Sequence, residues 1–412
     1  MNIPKISIPI ISGLLLMMGG ISTGLTLAYP SPASSDLIAK FDLSSIQNTM
    51  FNVSGLLAAL AGAVVINIII PIIGKNSALL LTAFINFGSF LGIGLSNSMW
   101  LIFFMRCLNG MTLGCFSTIC PVYLCEIAPE EKINSYGFLN QIGLSIGFLL
   151  PSLFGFFSDY SQNALLCMIP SVILFLGCIF IPSIKQQEAV KVSPLNVFKF
   201  PKEFIIAVLL MFFLQFSGIN ALLSNLETII TNSKIDMNTS LVAVIANIVQ
   251  ICSTIFASFL VDRFGNKICW IVSTAGQAIA FILLCLQQKL NLPGPVFLVG
   301  LFLEQLTYGI GTGPIPFSLT SQLFPVEVKP SAMGICTGIS WAFSAIICFL
   351  WPVMEDGMGL GYSFLFFACV SLLAVLFGVF LIQSKPCKDV DTSSSVESIE
   401  RRLSKQPDEA EL

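Results

Sequence analysis

The chain has 412 residues, 55% of them hydrophobic and only 10% charged, with a net charge of -3 and a mean hydropathy of +0.90. A soluble domain carries roughly 25% charged residues, so this chain cannot cover a water-facing surface. Scarce charge without a basic stripe or zinc-finger spacing excludes a nucleic-acid binder, and the absence of histidine removes the commonest metal ligand and proton shuttle.

The charges are confined to short gaps between apolar stretches of roughly 20 residues, the length that crosses a bilayer core. The first apolar run, Ile6 to Tyr29, follows Lys5 and precedes Ser31-Pro32-Ala33, an arrangement that also suits a secretory signal. Its apolar region is about twice the usual 7–15 residues, and it reads as the first span, Ile8 to Tyr29. The second to sixth spans are predicted at Ile46–Pro71, Ser77–Leu95, Trp100–Leu124, Asn134–Phe157 and Ala164–Pro182. The seventh to twelfth follow at Phe204–Ile230, Thr239–Val261, Ile268–Leu286, Pro295–Leu323, Ser331–Met354 and Gly361–Ile382. The 13 cysteines, Cys107, Cys115, Cys120, Cys252 and Cys348 among them, are mostly isolated within these stretches and read as small packing residues.

Basic residues accumulate on the cytoplasmic side of membrane proteins. Here the odd-numbered loops hold only Lys40, Lys234 and Lys289, and Arg106 falls within the fourth span; every other Lys and Arg lies in an even-numbered loop or a terminus. Both termini are therefore expected in the cytoplasm, with an even number of spans. The fourth span ends Glu126-Ile127-Ala128-Pro129 with Lys132 beyond, and the tenth ends Gln322-Leu323-Phe324-Pro325 with Lys329 beyond. Similar ends six spans apart predict an all-α membrane protein of two six-helix halves, residues 1–182 and 204–383, joined by a linker at 183–203. Residues 384–412 form a polar tail expected to be disordered. Repeats of this kind place a binding site at their interface near mid-membrane.

Gln141, Gln215, Asn220 and Gln250 are uncharged amides at predicted mid-membrane depth, each able to donate and accept hydrogen bonds. They suit a neutral hydroxylated ligand, and equally could join helix to helix. The second reading fits Asn140 and, on its own, Gln250. Arg106, Glu227 and Glu304 are ionisable groups inside spans, which usually act; a hydrogen-bonded or protonated structural role suits Glu304. Gly309, Gly311, Gly313, Pro314 and Pro316 fall in one predicted span and predict a bend there. Asn238-Thr239-Ser240 is a glycosylation sequon, and Arg401-Arg402-Leu403-Ser404 resembles a basophilic kinase site.

Five segments together resemble the sugar porter family of the major facilitator superfamily. They are Arg106-Cys107-Leu108-Asn109-Gly110, Pro121-Val122-Tyr123-Leu124-Cys125-Glu126-Ile127-Ala128-Pro129, Gln215-Phe216-Ser217-Gly218-Ile219-Asn220-Ala221, Asp262-Arg263-Phe264-Gly265-Asn266-Lys267 and Gly313-Pro314-Ile315-Pro316-Phe317. Tyr29-Pro30-Ser31-Pro32 and Glu227-Thr228-Ile229 look most like the branch holding class III hexose facilitators and trehalose transporters. The resemblance implies a major facilitator fold, alternating access, and a hexose-type sugar held by Gln141, Gln215, Asn220, Gln250, Phe317 and Trp341. It implies a cytoplasmic latch of Glu126, Asp262, Arg263 and Lys267, and a structural role for Arg106.

The chain departs from the pattern at Leu214, Ser224, Asn225, Gln250, Phe317, Ser340 and Ser344, which leaves the identity of the sugar open. Proton-coupled members place an aspartate in the first span where Thr26 stands here, so facilitated diffusion is expected over proton symport. Pro71-Ile72-Ile73-Gly74-Lys75, Gln322 and Ile133 weaken the family's latch, which implies a population shifted toward the inward-facing state. A non-transporting sugar sensor is the alternative from another class. No enzyme is expected without a nucleophile–base set, no ATP-driven pump without a P-loop, and no cofactor or metal. The expected partners are a small sugar and the lipid bilayer, with the monomer as the working unit, in the plasma membrane.

Overall fold

A computed structural model of the chain describes residues 7–128, 133–181, 194–224, 229–230, 238–325 and 328–382. Among the described residues there is no strand, and twelve helices are long and apolar enough to cross a membrane. We number them α1 (Pro9–Ala28), α2 (Ile46–Ile73), α3 (Lys75–Leu95), α4 (Met99–Ile127), α5 (Tyr136–Phe154), α6 (Tyr160–Phe180), α7 (Pro201–Leu222), α8 (Ser240–Val261), α9 (Arg263–Leu290), α10 (Gly294–Leu323), α11 (Ser331–Met358) and α12 (Leu360–Leu381). The tail, Glu227, Asn225 and most of the 183–203 linker lie outside the described residues, as does the kinase-like segment at 401–404.

The internal repeat is visible in the turns. α2 passes to α3 through Gly74 at φ 82°, ψ 159°, and α8 passes to α9 six spans later through Gly265 at φ 79°, ψ 164°. Both are left-handed conformations that glycine adopts without steric cost, so a single residue reverses the chain at equivalent points of the two halves.

Within the first half, α1 packs on α5 and α2 on α4 with backbones in direct contact. A Cβ at Gly114 would lie 1.9 Å from the Ala59 carbonyl oxygen, and one at Gly24 would lie 2.1 Å from that of Leu144. Small residues drive this close approach because lipid supplies no hydrophobic force between helices. A polar chain crosses the same half. Arg106 donates to the Thr26 carbonyl at 2.7 Å and to Asn109 at 3.3 Å, Asn109 donates to Ser89, and Asn86 bonds Thr112 and Ser171. The Arg106 guanidinium also lies over the Phe51 ring at 5.6 Å and against Gly55, where a Cβ would meet it at 2.9 Å.

The sixth span, predicted as one helix, is divided into Tyr160–Cys167 and Ile169–Gly177. Pro170 lacks the N–H that would continue the ladder. The halves meet along α2 with α11 and α5 with α8. On the side where α1 begins, Gly334 lies against Asn67, and Gly338 against Leu60 and Ala63. On the opposite side, the chain after the break in α7 touches α1. α2 and α11 thus pack closely on the termini side.

Candidate functional site

A cavity of about 30 Å³ lies between the halves. Thr23 and Leu27 of α1, Ser117 of α4, and Asn140, Gln141, Leu144 and Phe148 of α5 face it from the first half. Leu214, Gln215 and Asn220 of α7, Tyr308 and Phe317 of α10, and Trp341 of α11 face it from the second. No charged side chain is among them, so the wall suits a neutral polar guest between aromatic and aliphatic surfaces. Its volume holds one or two waters, and a larger guest enters only when the walls separate.

Two breaks in helix geometry aim the second-half residues. On an unbroken α-helix, Gln215 and Asn220 would point about 140° apart, since each residue turns about 100°. α7 instead stops at Phe216 and restarts at Ile219, through Gly218 at φ 85°. The Asn220 amide then donates to Gln215 Oε1 and, at 2.9 Å, to Ser344, while Gln215 Nε2 donates to Ser340 at 2.8 Å. Ser340 and Ser344, two of the departures from the family pattern, therefore accept from the amides and hold them.

In α10 the bend predicted from glycine and proline is a wide, five-residue turn at Tyr308–Thr312, closed by Gly313 N–H to the Tyr308 carbonyl at 3.0 Å. Such turns are rare and concentrate at functional sites. This one sets Tyr308 and Phe317 into the wall.

Of the six predicted ligand residues, Gln141, Gln215, Asn220, Phe317 and Trp341 come together on this cavity. Gln250 does not: it is fully buried on α8 away from the lining, and both its amide atoms lack hydrogen-bond partners. Trp341 Nε1 is also buried without a partner, but it borders the cavity, where the Gln141 amide meets the Tyr308 hydroxyl. Buried donors are nearly always satisfied, so the Trp341 donor is available to a guest. Asn140, read as helix glue, lines the cavity as well. Thr23, Ser117 and Tyr308 were missed. The Gly-rich stretch around Tyr308 was a signal, whereas small hydroxyl residues on long apolar helices give none.

The predicted latch is only partly assembled. Glu126 pairs with Lys75, a residue of the weakened loop motif. Arg263 forms no ion pair among the described residues and lies over Phe264, and Lys267 Nζ donates to the Val379 carbonyl at 2.7 Å. The Asp262 side chain lies outside the described residues. Asn238 of the sequon caps α8, accepting from Leu241 N–H at 3.2 Å.

Comparison with known proteins follows the same lines. The sequence model of the family described as "Sugar (and other) transporter" matches residues 16–192 and 183–386. The facilitated trehalose transporter Tret1 of Polypedilum vanderplanki is 24% identical over 447 residues, covering 96% of this chain and 88% of the relative. The facilitated glucose transporter member 8 of Bos taurus is 27% identical, with 80% and 82% covered. Among solved structures, the proton:xylose symporter XylE bound to 6-bromo-6-deoxy-D-glucose matches with a TM-score of 0.82 at 20% identity, covering 93% of this chain and 98% of that one. An inward open form of XylE from E. coli gives 0.76 at 20% identity, again with 93% and 98% covered. These structural likenesses show the major facilitator fold.

Proposed function

From the premise that this chain belongs to the sugar transporter family, we propose that it carries a hexose-type sugar by facilitated diffusion. The observation that carries this reading is the cavity at the junction of the halves, walled by uncharged amides and aromatic rings, with the Gln141 amide and the unpartnered Trp341 donor on its border. Sugar hydroxyls both give and accept hydrogen bonds, which matches amide walls, and an aromatic face suits the C–H face of a pyranose ring. Rocking of one half against the other exposes such a site to each side in turn.

Uniport is favoured over symport by the surroundings of Arg106. In this chain the arginine bonds the Thr26 carbonyl and Asn109, and no carboxylate stands on α1 to trade a proton with it. Both termini are proposed to be cytoplasmic, from the distribution of Lys and Arg, and the transporter to work as a monomer in the plasma membrane. Gln141, Gln215, Asn220, Phe317 and Trp341 are the proposed sugar contacts.

Uptake of radiolabelled D-glucose, D-xylose and trehalose into proteoliposomes tests the reading, with and without an imposed proton gradient. Equilibrative uptake indifferent to the gradient is expected. Accumulation driven by the gradient would overturn uniport, and binding without flux would overturn transport.

A further inference from the structure

Glu304 lies on α10, one turn before the wide turn, and is fully buried. Its Oε1 accepts from Gln277 Nε2 of α9 at 3.4 Å, and its Oε2 has no partner. The same Gln277 accepts, at 2.8 Å through Oε1, from the hydroxyl of Thr312, the last residue of the turn. Ser273, one helical turn earlier on α9, spans the turn from both ends. Its hydroxyl donates to the Thr307 carbonyl at 2.6 Å and accepts the Thr312 N–H at 2.9 Å. A five-residue turn interrupts the usual ladder, and Ser273 and Gln277 supply the bonds it lacks.

The elements packed on this stretch are α8 and α9. Their titratable side chains are Arg263, Lys267, Lys289, Cys252, Cys269 and Cys285, besides Asp262, whose side chain lies outside the described residues, and Tyr308 follows on α10 itself. Lys267 and Lys289 stand about 15 and 18 Å along α9 from Gln277. They are engaged elsewhere, with the Val379 carbonyl and the Tyr362 ring. Among the described residues no cation reaches the carboxyl, and an unpaired buried charge in a membrane protein is strongly disfavoured. The geometry therefore holds a neutral acid.

We propose that Glu304, as the neutral acid, is a positioning residue for sugar: through Gln277 and Thr312 it holds the wide turn of α10 in the form that sets Tyr308 and Phe317 into the cavity wall. The proposal rests on the reading that this cavity is the sugar site. Ionisation draws water toward the carboxylate, loosens the Gln277–Thr312 bond, and frees the turn. The bound proton positions the wall; it is not a driving ion.

Two readouts in proteoliposomes test it, using wild type, Glu304→Gln and Glu304→Asp. The first is equilibrium exchange of radiolabelled D-glucose and D-xylose across pH on both faces. In wild type the apparent KM rises as pH rises, by about fivefold, the effect of losing about one net hydrogen bond. Maximal exchange varies less. Glu304→Gln, which mimics the neutral acid, keeps a low KM at every pH, and Glu304→Asp restores a pH dependence. The second readout is backbone hydrogen exchange at Tyr308–Thr312, corrected for the intrinsic effect of pH. It speeds with pH in wild type and stays flat in Glu304→Gln. The proposal is overturned if Glu304→Gln keeps the wild-type pH profile, or if protection of the turn is independent of pH in wild type. Should no sugar move in wild type, the transport reading fails, and hydrogen exchange still decides the role of Glu304.

Discussion

The two halves line the cavity differently. On the first-half side α1, α4 and α5 pass it as continuous helices, backed by glycine contacts and by the chain from Arg106 to Ser171. On the second-half side both α7 and α10 break their helical geometry at cavity depth, at Gly218 and at Tyr308–Thr312. Backbone breaks inside a membrane survive only where protein groups satisfy them. Here Ser273, Gln277, Ser340 and Ser344 lie around the breaks and hold them or the residues they aim. The contrast assigns the first half to a stiff wall and the second to the moving gate, since broken helices rearrange at lower cost than close-packed ones.

Mutations separate these roles. The largest effect is expected for Arg106→Ala, which empties the space beside Gly55 and leaves the Asn86–Asn109 chain unanchored. Large-to-small core changes cost about 2–5 kcal/mol, so thermal unfolding in detergent should show a loss of several degrees. An unfolding temperature equal to wild type would remove the stiff-wall assignment. Gln215→Ala should leave the unfolding temperature near wild type while lowering sugar uptake by about 10–100-fold, since Asn220 and Ser340 lose their partner at the site. Uptake within twofold of wild type would remove Gln215 from the site. Gly218→Ala forces a side chain into a left-handed conformation, at about 1–2 kcal/mol, and against Phe367, 2.8 Å from the added Cβ. Slower maximal exchange with modest loss of stability is expected. A stability loss matching Arg106→Ala, with normal exchange in the folded fraction, would contradict the gate.

Thr312→Val removes the hydroxyl bonds to Gln277 and Ser273, each worth about 1 kcal/mol. Its apparent KM for sugar should rise severalfold at unchanged expression. The smallest effect belongs to Lys75→Ala, because a partly exposed ion pair contributes about 0–1 kcal/mol. Any shift in the inward-facing population, read by accessibility labelling, should fade with added salt. A large shift at low salt that vanishes at high salt would show that charge rather than α2–α11 packing closes the termini side.

Much of this was legible in the chain. The twelve spans follow from hydropathy, because lipid demands apolar faces over a fixed length, and the bend in α10 follows from glycine and proline at Gly309–Pro316. The amides of the site stand out because such groups are costly in hydrocarbon. Gln250 shows the limit of that signal: it has the same chemistry as Gln141, yet it is buried outside the cavity lining. The latch shows another limit. Lys75 looked like a remnant, and only the approach of α3 to the end of α4 gives it Glu126 as a partner.

The sequence by itself determined the class, the number of spans, the repeat of the two halves and the residue types available to a sugar, because these depend on local composition and spacing. Tertiary structure decided which amides share a wall, that Ser340 and Ser344 hold them, and that Glu304 reaches the turn of α10 through Gln277. Those outcomes depend on the rotation of each helix about its axis. Packing against neighbours sets that rotation, and a uniformly apolar helix does not encode it.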